Sequence, residues 1–460
     1  MSERISKVSV NLDVSAGTQT ILSVPETDTP FRMLIVGDFS GRGFRGERAP
    51  IDGRRPISVD SDNLDQVLAS ISPAVQLPQG TLRFRSIDDF HPDRIYQRTD
   101  AFHKLAELRN QPAPVPAAIR ETAQPAAPAT PVSGRSLLDS MMAQADEEPA
   151  SRVVEAPDAL ADFIKRAVEP HLAARQDPRQ EEWAARVDAA AGEQMRAILH
   201  HPHFQSLEAA WRAVAMLVDR LQPDTDLKIC VFDAPLDELM ADAAALERSL
   251  GGSASAPWAL IVGNFVFGQT AEDAARLRWL GRLAASLGAP FLGEAVPPSD
   301  APGLEWQELV HSPEARWIGL ALPRFLLRLP YGKDTSPAEQ LDFEEMPVSV
   351  HADYLWGNPA FFCACVLGLA FRADGWEMRP ARHREIGGLP QHIYRADGES
   401  VAKPCAEVLL TDTAAEFILS NGFMPLASMK DQDSVLLVRL QSIADPAAPL
   451  SGRWASWSQR

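Results

Sequence analysis

The 460-residue chain is 45% hydrophobic and 23% charged, which gives room for two or three domains with sizeable cores. Its formal charge of −18 is uneven: the first 110 residues hold 14 basic and 15 acidic side chains and the remainder 30 and 47, which disfavours nucleic acid or anionic lipid as partners of the acidic part. Four cysteines are too few for a disulfide framework; no apolar leader core follows Met1-Ser2-Glu3-Arg4 and no run of about 18 uncharged apolar residues occurs, so a cytoplasmic chain without direct membrane insertion is expected.

Residues 1–110 read as a first unit. Val8, Val10, Leu12 and Val14 alternate with Ser9, Asn11 and Asp13, the period of a half-buried strand. Lying ahead of any globular core, that strand is a candidate for pairing with another subunit. Phe31 to Val36 predicts a central strand ending at Gly37-Asp38. The loop Gly41 to Gly46 that follows lacks G-x-x-x-x-G-K-[ST], and its arginines are spaced for surface contacts. Asp60 to Asn63 caps a helix through Leu64, Val67, Leu68 and Ile71. Leu82 to Arg85 reads as a strand, and Ser86 to Asp93 as a turn into a helix carrying Ile95, Phe102, Leu105 and Leu108.

Six prolines and seven alanines in residues 111–134 make a linker rather than a core or continuous helix. Ser136 then caps a short amphipathic segment with Leu137, Leu138, Met141 and Met142 on its apolar side, followed by Asp146-Glu147-Glu148. Residues 135–223 read as mainly helical, through Leu160, Phe163, Ile164 and Val168, then Trp183, Val187, Met195, Ile198 and Leu199. His200, His201 and His203 tempt a metal assignment, but Pro202 interrupts them and no Cys or carboxylate stands at ligand spacing.

Residues 224–460 read as an α/β body. Leu227 to Asp233 predicts a strand, Leu236 to Leu250 a helix, Trp258 to Phe267 a buried strand, Glu272 to Leu287 a helix and Ala289 to Gly293 a strand. Trp317 to Leu322 is a strand buried on both faces. Arg324 and Arg328 then stand in the apolar block of Phe325, Leu326, Leu327 and Leu329. Guanidinium groups cannot enter a core unpaired, and Glu344 and Glu345, past the Pro330 to Lys333 turn, are the candidate partners. Those four residues predict a structural ion-pair cluster; the alternative is an anion- or metabolite-binding module or enzyme using Arg324 and Arg328. Pro359 to Phe371 is apolar all round, a central buried helix in which Cys363 and Cys365 pack rather than bind metal. Strands are expected around Glu407 to Leu410 and Ser434 to Leu440, with a helix Ala414 to Ser420 between them. No G-x-S-x-G or H-E-x-x-H occurs, and no cofactor or catalytic residue is assigned.

Several longer strings carry a family resemblance. PFRMLIVGDFSGR, Asp60 to Leu64 and SIDDFHPDRI resemble the small subunit of the type VI secretion contractile sheath. ILHHPHFQSLEAAWRAVAMLV, LPRFLLRLPYG, Phe343 to Glu345 and YLWGNPAF resemble its large subunit. The resemblance implies a mixed α/β sheath-like fold, a small-subunit-like unit packed on a larger body, and a non-enzymatic structural role. It implies other sheath or baseplate proteins as partners. It also makes Leu137, Leu138, Met141 and Met142 a candidate recognition helix for a recycling AAA+ unfoldase. In the large subunit the chain continues beyond the segment resembling Val435 to Ser442, and here it stops soon after. A missing C-terminal segment is therefore expected, and with it a monomer or small oligomer that caps or adapts a sheath.

Overall fold

The computed structural model describes residues 25–26, 28–78, 80–112, 178–250, 256–299, 301–396, 398–430 and 432–454. In chain order the strands are β1 (Phe31–Gly37), β2 (Ile57–Val59), β3 (Ala74–Leu77), β4 (Gly80–Arg83), β5 (Leu227–Asp233), β6 (Leu260–Phe267), β7 (Phe291–Ala295), β8 (Ile318–Leu322), β9 (Phe325–Leu326), β10 (Trp356–Gly357), β11 (Glu385–Ile386), β12 (Ile393–Ala396), β13 (Glu399–Ala402), β14 (Met424–Ser428) and β15 (Val435–Leu437). The helices are α1 (Leu64–Ile71), α2 (Pro92–Arg98), α3 (Asp100–Asn110), α4 (Pro178–Leu199), α5 (Pro202–Leu221), α6 (Leu236–Ala241), α7 (Ala243–Leu250), α8 (Ala271–Leu287), α9 (Leu304–Val310), α10 (Pro359–Asp374) and α11 (Asp412–Ser420).

One mixed sheet dominates, in the order β11-β15-β14-β8-β7-β6-β1-β5-β2. From β14 through β5 the neighbours are parallel, and β2, β15 and β11 are antiparallel additions at the two sides. A parallel sheet must be covered on both faces, so its strands carry near-continuous apolar runs. β1 shows this residue by residue. Phe31, Met33 and Ile35 enter the core on one face, shared with α5 and α10, while Leu34 and Val36 enter the other, shared with α7 and α8. Strand β1 is also where the segments before and after residues 111–134 meet. It lies parallel between β5 and β6, with Phe31 opposite Leu227 and Met33 opposite Leu260. Segments from either side of residues 111–134 thus build one sheet and share both cores.

Helix α10 occupies one face of this sheet, buried from Pro359 to Phe371 apart from the half-buried Leu369. Asn358 starts it, its side chain accepting from Ala360 N at 2.9 Å, and Pro359 fills the first helical position. Helices α4 and α5 are separated by His200 and His201. The His201 imidazole accepts from His203 N at 3.3 Å and so caps α5. Two indoles tie the early segment to these helices: Trp183 donates to Leu108 O at 2.8 Å and Trp211 to Phe39 O at 2.9 Å.

Three elements differ from the sequence-based expectation. The helix predicted from Leu236 to Leu250 breaks at Asp242, whose carboxylate accepts from Ala245 N at 2.8 Å and starts α7 anew. Strand β4 ends at Arg83, because Phe84 turns inward to stack on Phe90 with ring centroids 4.1 Å apart. No strand forms at Glu407 to Leu410. Val408 and Leu409 are exposed, and β14, which was not anticipated, takes the place beside β8.

Candidate functional site

Arg328 follows β9 and enters the interior with its side chain 10% exposed. Its five N–H groups find five acceptors. Nε meets Glu208 Oε1 at 2.8 Å, and one terminal nitrogen meets Glu345 Oε2 at 2.7 Å and Leu329 O at 3.1 Å. The other terminal nitrogen meets Glu208 Oε2 at 3.2 Å and Glu345 Oε1 at 3.1 Å. A guanidinium has five donors, so nothing is left for an external anion. Arg212, one turn after Glu208 on α5, donates to Glu208 Oε1 at 2.7 Å and to the Tyr331 hydroxyl at 2.9 Å. Two guanidiniums against two carboxylates leave this cluster formally neutral.

Glu345 also accepts from Tyr331 N at 2.7 Å, and the His200 ring lies 3.6 Å away. Burial by itself would push the Glu345 carboxyl up; the Arg328 charge and these donors pull it down to about 2. The Arg328 guanidinium sits 4.2 Å from the centre of the Tyr331 ring. The arrangement locks α5 to the Arg328–Met346 stretch.

Arg324 makes a separate pair. Its fork meets both oxygens of Glu407 at 2.8 and 2.6 Å, on a partly exposed surface. Glu407 also contacts His351 Nε2 at 3.3 Å. Nearby on β7, burial pushes the Glu294 carboxyl up to about 7 against the pull of Arg324. The four residues expected to form one cluster are therefore divided. Arg328 and Glu345 meet each other, Arg324 lies in a second pair, and the Glu344 carboxylate instead accepts from Lys333 N at 3.0 Å. Glu208 and Glu407 supply the carboxylates that sequence proximity missed.

A third network closes the loop after β1. Arg42, expected at the surface, turns inward with its side chain 14% exposed. It pairs with Asp233 at the end of β5 and with Glu238 on α6, the latter at 2.9–3.2 Å. Asp233 further accepts from Phe39 N and Ser40 N at 2.8 and 2.9 Å, and Arg54 reaches Glu238 at 2.7 Å. Burial pushes the Asp38 carboxyl up, helped by Asp233. These bonds join residues on the two sides of positions 111–134, so the loop acts as a clasp between segments. Burial likewise pushes the Cys363 and Cys365 thiols up to about 12, as for packed core groups.

Val8, Val10, Leu12 and Val14 lie outside the described residues, as do Leu137, Leu138, Met141 and Met142. Among the described residues no group of three His, Cys, Asp or Glu side chains gathers to hold a metal, and no helix is long and apolar enough to cross a membrane.

Comparison with known proteins adds names to these two joined segments. Residues 2–124 match the type VI secretion system VipA family, and residues 181–300 and 299–444 match the VipB (EvpB) tail sheath N-terminal domain family. Type VI secretion system sheath protein TssC1 of Pseudomonas aeruginosa is 31% identical over 303 residues, covering 57% of this chain and 61% of that protein. Sheath protein TssB1 of the same organism is 32% identical over 93 residues, 18% of this chain and 54% of that protein. The chain thus spans about three fifths of one relative and about half of the other.

Proposed function

The chain belongs to the type VI secretion tail sheath family, with a VipA-type segment followed by a VipB-type segment in one polypeptide, and from this we propose that it is a structural component of a contractile injection apparatus. The observation that carries the reading is the position of β1: a strand of the VipA-type segment completes the sheet of the VipB-type segment. It works by assembly with other sheath proteins in the cytoplasm, without catalysis of its own. The fully occupied donors of Arg328 speak for a structural cluster and against an anion site there.

Co-sedimentation of the purified full chain with sheaths, followed by electron microscopy, tests this. Incorporation into sheaths or association with them is expected. A chain that neither polymerises nor joins a sheath would remove the structural role. As a finer part of the proposal, a recycling AAA+ unfoldase engages Leu137, Leu138, Met141 and Met142. Leu138→Asp with Met142→Asp should then abolish unfoldase binding without lowering the melting temperature; equal binding by both forms excludes this handle.

A further inference from the structure

Outside the Arg328 cluster, Lys403, His351 and Glu407 form a chain of contacts that the structural role leaves unused. Lys403 Nζ lies 3.0 Å from His351 Nδ1, and His351 Nε2 lies 3.3 Å from Glu407 Oε1. Glu407 is itself fixed by the Arg324 fork. With Nε2–H directed at a carboxylate, the imidazole presents its Nδ1 lone pair to the amine. This order is the one by which an amine nucleophile is activated: nucleophile, base, and a third group orienting the base.

The aromatic faces and Glu407 favour the charged ammonium, and burial opposes them. Lys403 Nζ sits 5.1 and 5.8 Å from the ring centres of Tyr354 and Trp356. Burial holds its ammonium below the usual lysine range, although Glu407 pulls the other way. The cluster remains open to solvent, with the His351 side chain 49% exposed. Apolar Val350, Val408 and Leu409 flank it in sequence and are exposed.

We propose that Lys403 is a site of stoichiometric acylation by an activated acyl donor, an acyl phosphate or a thioester, with His351 receiving the amine proton. The Nζ lone pair forms a C–N bond to the acyl carbonyl carbon. The C–O bond to phosphate or the C–S bond to thiolate breaks, and the displaced proton passes through His351 Nδ1 to solvent. Acylation removes the Lys403 charge and its attraction to the two aromatic faces, changing the surface beside Val350 and Val408.

Limited acetylation of the full chain, with acetyl phosphate and acetyl-coenzyme A in separate arms, tests this by quantitative peptide mass spectrometry. Lys403 is expected to react about tenfold faster than the more exposed Lys104, Lys333 and Lys430. Preference in one arm only identifies the donor class. His351→Gln should bring Lys403 down to the rate of the other lysines while theirs stay unchanged, and Glu407→Gln should lower it as well. A Lys403 rate no higher than that of Lys430 in both arms overturns the proposal, as does a His351→Gln rate equal to wild type.

Discussion

Arg328 shows what a buried charge demands. Its sequence setting, a guanidinium among Phe325, Leu326, Leu327 and Leu329, signals that carboxylates must come to it. Which ones come is a matter of tertiary structure, since Glu208 lies on α5, 120 residues earlier. On α5 nothing in the local pattern separates Glu208 from a solvated residue, yet it is fully buried. Removing one member of such a cluster leaves the others uncompensated, so Arg328→Met should destabilise by about 3–5 kcal/mol, read from urea unfolding. Unchanged stability would contradict the structural reading. Two carboxyls then bias the pH profile in opposite senses. Glu345 is held at about 2, so its contribution is present above the ordinary 4.5 and fades as pH falls toward 2. Glu294 is raised to about 7, so its contribution is full below 4.5 and lost as pH rises through 7. Between about pH 5 and about pH 8 the wild-type urea midpoint should fall more than that of Glu294→Gln. Equal slopes would place Glu294 in contact with water.

Among the elements, α10 was legible because a helix apolar on every side has one place to go. Its close fit was not legible. A Cβ on Gly368 would stand 2.6 Å from Leu221 Cδ1 and 2.9 Å from Met33 Cε, both on fully buried side chains. Alanine is intrinsically better in a helix by about 1 kcal/mol, but overpacking a closed core costs about 1–3 kcal/mol, so Gly368→Ala should lower the melting temperature. A higher melting temperature would mean that the contact relaxes freely. The strand expected at Glu407 to Leu410 failed for the converse reason. An apolar run of that length fits a strand, but Glu407 answers the charge of Arg324 and holds Val408 and Leu409 at the surface. β14 escaped notice because Pro425 obscures its pattern, although a proline is tolerated where its nitrogen has no ladder bond to make.

For the molecule as a whole, the Pro/Ala-rich stretch and the two sets of motifs made a joined pair of segments readable from sequence. That the first segment supplies an inner strand was not, because periodicity reports which face is buried and says nothing about neighbours. β1 has a bonded strand on both sides, and Arg42 clasps the loop beyond it to Asp233 and Glu238. Proteolytic cleavage between Pro112 and Pro131 should therefore give two pieces that elute together in size exclusion and separate only in denaturant. Pieces that part cleanly and stay folded would contradict the shared sheet.

The order of synthesis makes that inner strand an early arrival. Phe31 leaves the ribosome roughly 200 residues before its partner Leu227, a delay on the order of ten to forty seconds at about 5–20 residues per second. During that interval Phe31 to Val36 has neither of its neighbouring strands. Its neighbour on the other side, β6, emerges later still. The nascent chain must keep an apolar strand from pairing elsewhere until both flanks exist. Translation speed and chaperone access over residues 40–260 thus bear directly on the yield of folded protein.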